Sequence, residues 1–104
     1  MDDAAFARFW RDNRETFRPR SRRLTRLELQ QKGLNAEVIE ATIADIDEDA
    51  SAYRAAQNRA RRLAGGGYLF FRRRLGEYLR RRGFGYEVIG RTVARLWKET
   101  RAVP

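Results

Sequence analysis

The chain has 104 residues, 42% of them hydrophobic, which suffices for one small domain or two small packed modules. It holds no cysteine and no histidine, so thiolate and imidazole chemistry, disulfides and nearly every zinc or haem site are excluded. The formal charge of +9 is uneven: residues 1–52 carry nine Lys/Arg against eleven Asp/Glu, and residues 53–104 carry fourteen against three.

A half so basic should attract a polyanion or an acidic protein surface. Of the 23 cations, 21 are arginine, whose planar fork suits phosphate and carboxylate. A GC-rich coding bias would give the same count, and the sequence leaves both readings open. No apolar run approaches membrane-spanning length, and the N-terminus lacks the basic-then-apolar pattern of a secretion signal, so a soluble cytoplasmic protein is expected.

Asp2 or Asp3 can cap a first helix running to about Arg14. Phe6, Phe9, Trp10 and Asn13 share one face of it and are expected in the core, with Asn13 bonded across a helix junction. Pro19 breaks the chain. Ser21 caps a second helix, Arg22 to Lys32, that buries Leu24, Leu27 and Leu29. The third, Ala36 to about Ile46, carries the stripe Val38, Ile39, Thr42, Ile43 and Ile46.

Asp45, Asp47, Glu48 and Asp49 form an acidic cluster without the glycine and distal glutamate of a calcium loop. Asp47 as a cap and acids in the following first turn explain it, so no metal is expected. The fourth helix, Glu48 to about Ala64, turns Tyr53, Ala56, Ala60, Leu63 and Ala64 inward. Gly65, Gly66 and Gly67 lack the Lys-Ser/Thr partner and the spacing of a phosphate loop and read as a flexible connector. The fifth helix, Tyr68 to Arg82, buries Phe71, Leu75, Tyr78 and Leu79, with Phe70 off the stripe and free to dock on the other module. Glu77 is placed to pair with Arg81 one turn on. The sixth, Tyr86 to about Thr100, buries Tyr86, Ile89, Val93, Leu96 and Trp97.

An internal repeat organises these elements. Leu29-Gln-Gln-Lys32-Gly33-Leu34-Asn35-Ala36-Glu37-Val38-Ile39 recurs fifty positions later as Leu79-Arg-Arg-Arg82-Gly83-Phe84-Gly85-Tyr86-Glu87-Val88-Ile89. Gly33 and Gly83 each stand where a helix ends in a left-handed residue, and Asn35 and Gly85 stand where the next begins. The expected fold is all-α: two tandem three-helix repeats in an elongated arrangement. Residues 1–46 form the first, and 47–104 the second, with the Gly65–Gly67 connector after its first helix.

Phrases spread over most of the chain carry a resemblance. They are Asp2-Asp3-Ala-Ala-Phe6-Ala7 with Trp10 and Asn13-Arg14; Phe17-Arg18-Pro19-Arg20-Ser21; Glu28-Leu29-Gln-Gln-Lys32-Gly33-Leu34; and Tyr78-Leu79-Arg80-Arg81-Arg82-Gly83-Phe84 with Tyr86-Glu87-Val88-Ile89. In this order they resemble the RecX family of regulatory proteins. That family carries a further repeat ahead of the Asp-Asp stretch, and here Met1 stands immediately before it, so the resemblance implies the second and third repeats. It further implies a non-enzymatic regulator in DNA repair, homologous recombination and the SOS response. Such a protein binds the RecA recombinase filament and inhibits its recombination, ATPase and co-protease activities. A monomer acting on a polymer, with no cofactor, follows from the same resemblance.

The candidate contact residues are the exposed arginines Arg61, Arg62, Arg73, Arg74, Arg80, Arg81, Arg91 and Arg95, with a second group, Arg18, Arg20, Arg22 and Arg23, beside Pro19. Their targets are acidic RecA surface or the phosphates of single- or double-stranded DNA. The competing reading is a general nucleic-acid-binding helical module, weakened because nearly all aromatics fall on core stripes. An enzyme is the weakest reading, since the carboxylates are accounted for by caps and pairs.

Overall fold

The computed structural model, which describes residues 2–17 and 19–102, is all-α. Its helices are α1 (Asp3–Phe17), α2 (Arg22–Gln31), α3 (Ala36–Ile43), α4 (Glu48–Leu63), α5 (Tyr68–Arg81) and α6 (Tyr86–Ala102). The molecule measures 52 × 22 × 17 Å, the elongated outline expected of helical units laid end to end.

The first four helices start where a side chain satisfies free backbone N–H groups, whereas α5 follows Gly67 without a side-chain cap. Asp2 accepts from the N–H of Ala4 and Ala5 at 3.0 and 3.2 Å, Ser21 from Leu24, Asn35 from Val38 and Asp47 from Ala50. The acidic cluster is engaged throughout: Glu48 accepts from the N–H of Arg22, Asp49 pairs with Arg91, and Asp45 lies 3.6 Å from Arg11.

The repeat is visible bond by bond. Gly33 and Gly83 hold φ of 83° and 90°. The following residues, Leu34 and Phe84, donate back to the carbonyls of Leu29 and Leu79 at 3.3 and 3.2 Å. Thr42 and Thr92 each donate to the carbonyl four residues earlier, Val38 and Val88. Two hydrophobic clusters result. Ala7, Leu29, Ile39, Ile43 and Ile46 form the first. The second is built on Ala52, Ala56 and Ala60 of α4, Phe71, Leu75 and Leu79 of α5, and Phe84, Val88, Val93 and Leu96 around α6. The alanines let α4 lie close on the α5–α6 hairpin.

The clusters meet at a thin junction. The α5–α6 turn seats on the start of α2, where the N–H of Ser21 faces the carbonyl of Arg82 at 3.4 Å. A Cβ on Gly83 would fall 2.5 Å from Ser21 Oγ and 2.6 Å from Leu24 Cγ. Arg22 reaches from α2 to the Ile46 carbonyl, donating from Nε and Nη2 at 3.1 and 2.8 Å.

Several expectations are corrected. Phe6 and Phe9 are exposed, at 36% and 66%, and Asn13 is exposed, because α1 gives the core only Ala7 and the half-buried Trp10. Tyr86 is 88% exposed, since Phe84 and Val88 take the inward positions at the start of α6. The glycine connector includes a short 3-10 turn, Ala64–Gly66. Phe70 packs on Gly66 of this turn, where a Cβ would meet its ring at 2.3 Å, and not on the other cluster.

Candidate functional site

Glu28 of α2 organises the first half. Its carboxylate accepts from Trp10 Nε1 at 3.0 Å, Arg14 Nε at 3.0 Å and Arg20 Nη1 at 2.7 Å. Arg14 and Lys32 also stand over the Trp10 ring. Arg20 is therefore held in the fold, as is Arg22 on Ile46. Arg23 is exposed at the start of α2, and Arg18 lies outside the described residues.

In the second half the predicted arginines divide. Arg91 forms two bonds to Asp49, at 3.0 and 3.3 Å, and its guanidinium is raised above its ordinary value chiefly by that hydrogen bond. Arg95 lies 3.7 Å from the Tyr53 ring centre and 3.4 Å from Glu99. Arg74 lies over Phe70. Arg61 and Arg62 are exposed at the end of α4, where cations suit the helix dipole.

The rest converge on two hollows. In the first, between α5 and α6, Arg73 and Arg80 are joined by Arg72, with Tyr68 and Tyr86 beside them, around a groove of about 460 Å³. Glu77 also lines it and makes no ion pair with Arg81 among the described residues. The second is a crevice of about 400 Å³ at the junction, where Arg81 meets Arg20, Arg59 and Arg82 next to Tyr78. Arg59 and Arg82 lie over the Tyr78 ring, at 4.1 and 5.0 Å, and the Arg20 Nε is buried there without a hydrogen-bond partner.

Sequence reasoning missed Arg59, Arg72, Arg82, Tyr68 and Tyr86. The signal for Arg72 was present, because it is one helical turn from both Tyr68 and Gly76 and two from Arg80. Among the described residues no group of acids could hold a metal ion, and no helix is long and apolar enough to cross a membrane.

Comparison with known proteins places this architecture. The profile described as RecX, second three-helix domain, matches residues 2–43, the stretch of α1 to α3. The chain is 31% identical to Regulatory protein RecX of Chlorobium limicola over 98 residues, 94% of this chain and 62% of that protein. It is 36% and 35% identical to Regulatory protein RecX of two Mycobacterium strains, KMS and JLS, over 91 residues, 81% of this chain and 50% of each. The chain thus spans one half to three fifths of the length of these relatives. No solved structure matches. With the profile on α1–α3 and the relatives' alignment running through most of the chain, this protein is similar along most of its length to the RecX family of regulatory proteins.

Proposed function

We propose that this chain is a non-enzymatic regulator that binds the RecA recombinase filament and restrains its recombination, ATPase and co-protease activities. We place it in the cytoplasm, as a monomer whose three-helix units divide between Ile46 and Asp47. One observation supports the reading most directly: Arg72, Arg73, Arg80 and Arg81 line the outer side of α5 without ion-pair partners among the described residues, in a chain similar to a regulatory family. Unpaired, solvated guanidinium groups held on a rigid helix suit an acidic protein surface.

The test is ATP hydrolysis by RecA on single-stranded DNA while this chain is titrated in. Inhibition well below one chain per RecA is expected. Reversing Arg73, Arg80 and Arg81 to glutamate should remove the inhibition with helical content unchanged by circular dichroism. Inhibition that survives the triple reversal would sink the reading.

A second reading, a nucleic-acid-binding module, is favoured by the junction crevice, where four arginines surround one hollow. Binding to bare DNA that weakens steeply with salt would support it. Indifference to DNA would exclude it.

A further inference from the structure

The repeat supplies its own control for the groove between α5 and α6. Fifty positions earlier, the equivalents of Gly76 and Gly90 are Arg26 and Glu40. In the first half these two side chains bridge α2 and α3, with Arg26 Nε and Nη2 donating to the two Glu40 oxygens at 2.8 and 3.0 Å. Over the same aliphatic floor, Ile39 and Ile43 in one half and Ile89 and Val93 in the other, the bridge is absent from the second half because both members are glycine. The changes around it run the same way: Ala36 corresponds to Tyr86, and Gln30 to Arg80.

The fold does not require these glycines. Neither has a positive φ. A Cβ at Gly76 would meet only Ile89 at an ordinary 3.7 Å, and one at Gly90 would meet nothing within 4 Å. Both sit inside helices, where glycine is the poorest residue after proline. Their effect is to leave an open channel with a backbone floor, on which another backbone can lie close.

We infer that the α5–α6 groove is a docking site for an acidic amphipathic helix of a partner protein. Tyr68, Arg72, Gly76 and Arg80 follow one another at intervals of four, so the groove runs the length of α5. An apolar floor beside a cationic rim, Arg72, Arg73 and Arg80 of α5, fits a helix with an aliphatic face and carboxylates along one edge of it. Tyrosine and arginine are the residues that anchor such contacts. Single-stranded nucleic acid fits less well. Tyr68 opens α5 and touches Trp97, Tyr86 opens α6, and the two helices form a hairpin, so the rings stand at opposite ends and cannot clasp one base.

The inference extends the reading of a protein-binding regulator, and its test uses no RecA, so either can fail alone. The probe is an acetylated, amidated peptide of about 15 residues made of glutamate, alanine and leucine, with the leucines on one helical face. It is titrated into the isotope-labelled chain and followed by amide chemical shifts. Shifts centred on Gly76, Ile89 and Gly90 are expected, with a scrambled peptide of equal charge binding more weakly. The variant Gly76→Arg/Gly90→Glu, which rebuilds the bridge without changing net charge, should bind roughly tenfold more weakly or worse. If that variant does not fold, Tyr86→Ala, at an exposed position, should weaken binding instead. Binding unaffected by the folded variant overturns the inference. So do shifts mapping elsewhere, no binding at millimolar peptide, or a ten-nucleotide oligo(dT) occupying the groove more tightly than the peptide.

Discussion

Gly33 and Gly83 share a backbone conformation and differ in what stands beside them. A Cβ at Gly33 meets nothing within 4 Å, whereas one at Gly83 collides with Ser21 and Leu24. Alanine at Gly33 should therefore cost about 1–2 kcal/mol, the penalty of the left-handed backbone alone. Alanine at Gly83 should cost about 1–3 kcal/mol more, through the clash at the junction. Urea denaturation of the two variants measures the difference, and equal losses would mean that the junction is loose. Glu28 is the other residue with concentrated consequence. Glu28→Ala leaves two guanidinium groups and an indole N–H without their acceptor and should lower stability by about 1–3 kcal/mol in the same assay. Both glycine turns were legible from sequence, because a left-handed residue admits few alternatives. The role of Glu28 was not, because its partners come from α1 and the α1–α2 link, and only tertiary packing brings those together.

At the scale of elements, the periodic stripes predicted type and order of every helix but not the extent of its cover. Phe6, Phe9 and Tyr86 continue apolar stripes past the point where a neighbour exists to bury them. The spacing of a stripe fixes which side chains share a face and says nothing about what lies opposite. The groove was hidden for a related reason. A lone Gly76 or Gly90 reads as a weak helix residue, and the meaning appears only when each is set against Arg26 and Glu40 and the bond between those is seen. Gly76→Ala and Gly90→Ala should each raise stability by about 0.5–1 kcal/mol, read from thermal unfolding. The counterpart pair adds a pH effect. The Glu40 carboxyl is held below its ordinary value, chiefly by the hydrogen bond from Arg26. A depressed value in the folded state gives stability that is present above the ordinary carboxylate range and lost as pH falls through the depressed one. The Glu40→Gln variant should show a correspondingly shallower fall of Tm on acidification.

Across the whole molecule, charge and packing are both asymmetric. Among the described residues ten buried side chains make up the second cluster and five the first. The halves meet at the seat of Gly83 on Ser21 and Leu24, at the crevice where Arg20 faces Arg59, Arg81 and Arg82, and through Glu48, which accepts from the N–H of Arg22. Local opening follows buried apolar contact, so the first half should open more readily. Native-state hydrogen exchange should find the amides of α5 better protected than those of α2 and α3, and the reverse order would show that the junction couples the halves completely.

The same division places one indole in each half. Trp10 lies under two cations with its N–H on a carboxylate, while Trp97 is flanked by the rings of Phe71 and Tyr68 at 5.1 and 5.3 Å. The protein therefore carries two intrinsic fluorophores in opposite surroundings, one ionic and one aromatic. A Trp97→Phe variant leaves an emission that reports on α1–α3 alone. Its denaturation curve, set beside far-ultraviolet dichroism of the same variant, would show whether the ionic half melts before the molecule as a whole.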